Sequence, residues 1–281
     1  MKFEKYHALG NDYLVLDATL QKHPPSKVTI ERICHRNFGI GSDGILFGPL
    51  QSEEAEFGLQ IFNPDGSEAE KSGNGLRIFA RHLWDKGKVS VQPFNVMTSG
   101  GCVKCVVKER GSTITVDMGK VTFLSDKIPV SGPPREVLDE IIELNNETYR
   151  FYAASIGNPH CVLPLDEISS TKAKLIGPLL ENHSLFPNRT NVQLLQILDR
   201  QNIRIEIWER GAGYTLASGS SSCAAAAVAI KMGAVDHRLI VHMPGGQLEL
   251  DFSNQFDVQM TGPVTRIGSV EFAQEALGYN C

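Results

Sequence analysis

Residues 217–230 read ASGSSSCAAAAVAI, and residues 70–81 read EKSGNGLRIFAR. In each, a Ser-Gly pair stands at the entrance of an apolar run, and serine is a favoured helix N-cap. The runs predict two buried helices. One extends from about Gly75 to Lys86 and stops at Gly87; the other extends from about Ser220 to Met232 and stops at Gly233. Their surroundings repeat as well. Gly10-Asn11 precedes Ser72-Gly73, and Gly157-Asn158 precedes Ser218-Gly219. Ser72 follows Asn11 by 61 residues, and Ser218 follows Asn158 by 60. Strand patterns and polar turns fill both intervals, so the chain reads as an internal duplication. Two lobes are expected, each rich in strands around one central helix, with a cleft between them.

The chain has 281 residues, 42% hydrophobic and 21% charged, enough for a large core and two domains. A net charge of −5 without a basic block argues against a nucleic-acid partner. No apolar run is long enough to span a bilayer, so no membrane partner is expected. The opening MKFEKYHALGNDY lacks the apolar centre of a signal peptide, and the expected location is cytoplasmic. The six cysteines, Cys34, Cys102, Cys105, Cys161, Cys223 and Cys281, are scattered, which speaks against a disulfide framework. Cys102 and Cys105 form a lone C-x-x-C inside an alternating, strand-like segment, where residues three apart face opposite ways. No second pair completes a metal site. Cys223 lies more than a turn inside the second helix and reads as core packing.

Strands are expected in FEKYHALGNDYLVLDA, GILFGPL, EFGLQIFN, FNVMTSGGCVKCVVKE and STITVDMG of the first half. In the second half they fall in TYRFYAASIGNPHCVLPL and NVQLLQILDRQNIRIEIWER, and LIVHMPGGQLELDF and FDVQMTGPVTRIGSVEF read as hairpins. Ser26 is expected to cap a helix running through VTIERICHRNF to Gly39, and EISSTKAKLIGPLLENH reads as another. Asn63-Pro64-Asp65-Gly66 is a turn. The Gly-rich GIGSDG of residues 39–44 lacks the dinucleotide fingerprint and reads as a loop.

A helix entrance leaves N–H groups unpaired and carries partial positive charge, so it suits an anion. The two entrances are candidates to hold a carboxylate and to set Ser72 and Ser218 on either side of it. Taken singly, each serine is better explained as an ordinary cap; the repetition beside Gly and Asn favours a site. Arg210 offers a carboxylate fork or pairs with a surface acid. Asn11, Asn158 and Asn191 serve turns or a polar substrate. His160 is an acid–base candidate or a structural histidine.

With HALGNDY, RNFGIGSDG, FNPDGSEAEKSGNGLR, GNPH, TNVQ and WERGAGYTLASGS in order, the sequence resembles the diaminopimelate epimerase family over nearly its whole length. The resemblance implies an α+β fold of two pseudo-symmetric lobes, each a mainly antiparallel β-roll or barrel wrapped around a central helix. The lobes would cover 1–118 and 119–264, with the tail 265–281 returning to the first. The resemblance also implies inversion at Cα of an amino acid, interconverting LL- and meso-diaminopimelate for lysine biosynthesis. One group removes the α-proton and a second returns one from the opposite face, without cofactor or metal. A small-molecule amino-acid substrate and a homodimer are implied too. By motif, Asn11, Asn63, Asn158, Asn191, Glu209 and Arg210 would bind substrate. Gly73, Asn74, Gly219 and Ser220 would meet its reacting carboxylate, and His160 would assist. The family's two catalytic cysteines fall on Ser72 and Ser218, and Lys71 and Tyr214 stand where many members have an apolar residue and a glutamate. A serine hydroxyl is a far weaker acid than a thiol. A second reading is therefore a silent or altered-specificity relative that binds an amino acid, and a third is a related lyase or isomerase.

Overall fold

The computed structural model describes residues 1–273 and 275–277. The chain divides into two compact units, Met1–Asp117 with the described part of Thr261–Cys281, and Met118–Met260. Residues 274 and 278–281 of the tail, Cys281 among them, lie outside the described residues.

In the first unit the elements are β1 (Lys2–Ala8), β2 (Asn11–Asp17), α1 (Lys27–Cys34), β3 (Ile45–Leu50) and β4 (Phe57–Phe62). There follow β5 (Glu68–Ala69), α2 (Gly73–Asp85), β6 (Phe94–Thr98), β7 (Gly101–Lys108) and β8 (Thr113–Lys120). The second unit contains β9 (Glu140–Leu144), β10 (Glu147–Ser155), β11 (Pro159–Pro164), α3 (Ser170–Glu181), β12 (Asn191–Asp199) and β13 (Asn202–Glu209). It continues through β14 (Gly213–Thr215), α4 (Gly219–Lys231), β15 (Arg238–Met243) and β16 (Gly246–Phe252), and β17 (Asp257–Pro263) runs across the boundary at Met260. The last strand, β18 (Thr265–Glu271), pairs antiparallel with β1 of the first unit.

The pairing scheme repeats strand for strand. β1 and β2 are antiparallel, as are β10 and β11. β2 runs parallel to β3, and β11 to β12. β4 is antiparallel to β3 and β5 and parallel to β6; β13 stands in the same relations to β12, β14 and β15. The hairpins β6–β7 and β15–β16 close each series. The duplication legible in two dipeptides thus extends through the topology.

The central helices match down to their ends. Ser72 and Ser218 cap 13-residue helices through their side chains. At the far end of α2, Gly87 adopts φ +66, its N–H meets the Trp84 carbonyl, and the Lys88 N–H meets that of Leu83. In α4, Gly233 at φ +71 and Ala234 make the same two bonds, to Ile230 and Ala229. Such a paired C-terminal closure requires a left-handed residue, and glycine adopts it without strain. The sidedness differs. α2 fills its surroundings with Leu76, Ile78, Phe79 and Leu83, whereas Ala224–Ala227 of α4 leave room only for closely approaching strands.

Outer helices cover the other sheet faces. Phe3, Leu14, Leu16, Ile45 and Phe47 pack with Ile30 and Ile33 of α1. Cys161, Leu163, Val192 and Leu194 pack with Ala173, Ile176 and Leu180 of α3. Strands β2 and β11 are therefore buried on both faces, which explains their unbroken apolar character.

Two expectations are corrected. α1 ends at Cys34 and not near Phe38, because the His35 imidazole accepts the N–H groups of Asn37 and Phe38, both at 3.1 Å, and turns the chain aside. β17 and β18 form no hairpin with each other: one residue separates them, and β18 pairs with β1. Within β7, Cys105 is buried and Cys102 exposed, and Cys223 is buried in α4, as packing along a strand and a helix requires.

Ala225 has no exposed surface. Replacing it with Leu is expected to destabilise the protein by about 1–3 kcal/mol through overpacking, measured as a lower urea midpoint at constant slope.

Candidate active site

Period-two alternation decides which side chains reach the entrances of α2 and α4. Leu14 and Leu16 face α1, so Asn11 and Tyr13 face α2. Cys161 and Leu163 face α3, so His160 lies on the α4 side, where it meets Asn158 of the bend before β11.

In the first unit Ser72 is extended (φ −139, ψ 115), and its Oγ accepts the Gly75 N–H at 3.0 Å. The Tyr13 hydroxyl lies 3.3 Å from that Oγ. Two residues into α2, Asn74 Nδ2 donates to Asn11 Oδ1 at 3.0 Å, while Arg77 donates to Asn74 Oδ1 at 2.7 Å. Asn11 Nδ2 in turn donates to Asp43 Oδ2 at 2.9 Å. Arg36 bridges Asp43 (2.7 Å) and Asp12 (2.8 Å), and Lys5 pairs with Asp12 at 2.9 Å. Burial alone would push the Asp12 carboxyl up; hydrogen bonds from Lys5 and Arg36 outweigh it and hold the group below the usual carboxylate range. The Asn11 amide is thereby fixed from both ends.

In the second unit Ser218 repeats the conformation (φ −146, ψ 124), and its Oγ accepts the Ser221 N–H at 3.5 Å, a longer cap. Asn158 Nδ2 donates to Ser220 Oγ at 3.3 Å, the counterpart of the Asn11–Asn74 bond. His160 Nε2 meets Asn158 Oδ1 at 2.9 Å, so the ring proton sits on Nε2. Gln193 Nε2 donates to Ser221 Oγ at 2.9 Å. His160 is wholly enclosed, and burial pushes its pKa down to about 3; at neutral pH it is an uncharged donor to Asn158.

The remaining sequence candidates occupy the turns that follow β4 and β13. Asn63 donates to Ser67 Oγ at 3.0 Å within its own turn. Asn191 joins two segments: its Nδ2 donates to the Pro159 carbonyl at 2.8 Å and its Oδ1 accepts the Arg210 N–H at 3.0 Å. The exposed Arg210 side chain donates to the Asn188 carbonyl at 3.0 Å. Among the described residues no carboxylate forms an ion pair with its guanidinium, which leaves it able to take one from a ligand. Glu209 is half-buried at the end of β13. Tyr214 donates to buried Glu206 at 2.6 Å, under Lys174 at 4.8 Å from the ring centroid.

The sequence reading does not mark three residues: Tyr13 and Gln193 at the entrances, and Glu181 behind the loop that follows β13. Glu181, nearly buried at the end of α3, accepts Trp208 Nε1 at 2.7 Å and the Gly211 N–H at 2.9 Å and pairs with Arg189 at 3.1 Å. It fixes the loop that carries Glu209 and Arg210. No local pattern marks it, since its partners are distant in sequence. Among the described residues no cluster of three or more His, Cys, Asp or Glu is placed to hold a metal ion, and no helix is long and apolar enough to cross a membrane.

Each entrance thus presents a capping serine, an asparagine at the start of the neighbouring strand or in the bend before it, and first-turn N–H groups, those of Gly73 and Asn74 or Gly219 and Ser220, that have no partner within the helix. Solved structures of the same fold include a hydroxyproline epimerase from Agrobacterium vitis with bound trans-4-hydroxy-L-proline (TM-score 0.72, 15% identity, covering 100% of this chain and 95% of that one). A PhzF-family phenazine biosynthesis protein of Bacillus anthracis is similar at TM-score 0.68 and 16% identity, over 97% and 99% of the two chains. The diaminopimelate epimerase family model matches residues 3–124 and 152–267. Diaminopimelate epimerase 2 of a Nostoc species is 58% identical over 98% of this chain and 96% of its own. The diaminopimelate epimerase of Moorella thermoacetica is 40% identical over 97% and 99%. The fold and its relatives define the class as an isomerase of the epimerase and racemase type. The chain belongs to the diaminopimelate epimerase family.

Replacing Glu181 with Gln is expected to cost about 1–3 kcal/mol of stability, read by urea unfolding, because buried donors lose a charged acceptor. A second outcome concerns pH. Burial also lowers His82 of α2 to about 4. Both histidines have folded pKa values below the unfolded value near 6.5, so the unfolded chain binds more protons between them. Stability is therefore expected to fall as pH drops below about 6.5, by up to ~2 kcal/mol per histidine by pH 5. Melts at pH 7, 6 and 5 check this, and His82→Leu should flatten the slope.

Proposed function

We propose that the chain inverts the α-carbon of diaminopimelate, interconverting the LL and meso forms, as an isomerase of lysine biosynthesis that works without cofactor or metal. The observation that carries this is the repeated serine-capped helix entrance with its strand asparagine, in a chain of this family. Inversion by two proton transfers needs one group for each face of the carbon, and the chain offers two equivalent entrances.

In this reading the first-turn N–H groups of Gly73, Asn74, Gly219 and Ser220 hold the reacting carboxylate, and the charge that builds on it as the α-proton leaves is stabilised there. Arg210 takes a carboxylate, and Asn11, Asn63, Asn158, Asn191 and Glu209 address the amino and remaining polar groups. Ser72 and Ser218 stand where the family carries its acid–base cysteines and act as the proton-transferring pair, with His160 assisting through Asn158. Thiols are better suited to the task, since they ionise nearer neutral pH. We further expect a cytoplasmic homodimer.

The test is proton NMR of LL-diaminopimelate in heavy water, with chiral chromatography for the meso product. The chain is expected to exchange the α-proton and form the meso isomer, and a Ser72→Cys/Ser218→Cys variant to do so faster, by a factor on the order of 10². Binding without exchange would identify a silent amino-acid binder, and exchange by neither protein would remove the assignment. Arg210→Ala is expected to weaken calorimetric binding by about tenfold or more, because a charge-assisted bond contributes about 1.5–3 kcal/mol; unchanged affinity would show that Arg210 is no ligand for substrate.

A further inference from the structure

We propose that Tyr13 is the proton reservoir of the first helix entrance, passing its proton through Ser72; this rests on the function proposed above. Tyr13 is 7% exposed, and its hydroxyl lies 3.3 Å from Ser72 Oγ. Its ring occupies a place that the backbone keeps open. A Cβ on Gly44 would come within 2.7 Å of Tyr13 Cε1 and 2.4 Å of the Phe62 carbonyl oxygen. Gly44 is therefore the condition for the phenol to lie where it does, which gives the last glycine of the GIGSDG loop a role.

The Ser72 hydroxyl has two acceptor positions and one donor. The Gly75 N–H fills one acceptor position at 3.0 Å. If Tyr13 donates, the second is filled as well, and the only remaining capacity of Ser72 is to give its own proton to substrate. If Ser72 donates to the tyrosine oxygen, one lone pair of Ser72 is free to receive a proton. The acid and base states of the first entrance are the phenol and the phenolate of Tyr13: Ser72 accepts from the first and donates to the second.

The transfer balances. In the base direction the tyrosine enters as phenolate. The α-proton passes to Ser72 Oγ while the serine proton passes to the phenolate oxygen, leaving a carbanion, a neutral serine and a neutral phenol. In the acid direction the phenol proton moves to Ser72 as the serine proton moves to the carbanion, restoring the phenolate. Serine never carries the charge. The titrating group is a phenol, whose ordinary pKa near 10 lies well below that of an alcohol. Tyr13 acts through Ser72 and does not touch substrate, so it is a positioning and relay residue.

Tyr13→Phe retains the ring that packs on Gly44 and removes only the hydroxyl. The expected result is α-proton exchange slower by about 10²-fold or more, with calorimetric affinity for diaminopimelate within twofold of the parent. An exchange rate within threefold of the parent would overturn the proposal. A second measurement needs no substrate. In Ser72→Cys, the ionisation of the introduced thiol is followed by its rate of alkylation against pH, with and without Tyr13→Phe. A phenol that donates to position 72 stabilises the thiolate, so its removal is expected to raise the thiol pKa by about one unit; an unchanged pKa would overturn the contact. If diaminopimelate fails to bind the parent chain, the proposed function falls, and the alkylation comparison still decides the contact.

Discussion

A helix buried up to its first residue must satisfy its leading N–H groups without water. That constraint organises both units. In each, a serine in extended conformation turns its oxygen onto the N–H three residues ahead, and a glycine in the left-handed region closes the other end. Serine is suited to this because its short side chain reaches the backbone that a longer one would overshoot. The same geometry leaves the two N–H groups between the serine and the capped residue without a helical partner, where an anion can meet them. The cap and the candidate site are thus one feature, and the serines cannot be assigned to structure or to chemistry alone.

The surrounding sheet brings polar side chains to that feature. Burial of β2 and β11 on both faces forces alternate residues toward the outer and the central helix. Asn11 therefore arrives at its entrance by strand periodicity, and Asn158, in the bend just before β11, is held there by His160 of that strand. They are held differently. Asn11 is oriented by an ionic cluster of Lys5, Asp12, Arg36 and Asp43. Asn158 is oriented by a neutral, buried histidine. Duplication preserved the backbone geometry while the supporting chemistry diverged, so the two entrances are equivalent in shape and unequal in electrostatics.

Much of this was legible in the sequence because it depends on local rules. The Ser-Gly openings, the terminal glycines and the Gly-Asn turns mark both helices and the repeat, and in-order motifs mark the family. What escaped depends on contacts between distant residues. The end of α1 at Cys34 depends on the imidazole of His35 competing for N–H groups, which no helical pattern records. The local pattern of β18 reads as half of a hairpin, because its partner, β1, lies at the other end of the chain. Glu181 looks like any acidic residue at a helix end until Trp208, Gly211 and Arg189 are seen around it. Tyr13 is unremarked in GNDY until strand periodicity and Gly44 set it against Ser72.

The central proposal is that each helix entrance meets an anionic group of the substrate through its first-turn backbone N–H groups. The most direct measurement is the amide nitrogen–proton spectrum of labelled protein titrated with diaminopimelate. The account predicts that the amides of Gly73, Asn74, Gly219 and Ser220 move to saturation over one concentration range. Saturable binding that leaves these four amides unmoved, or moves those of only one entrance, would contradict it.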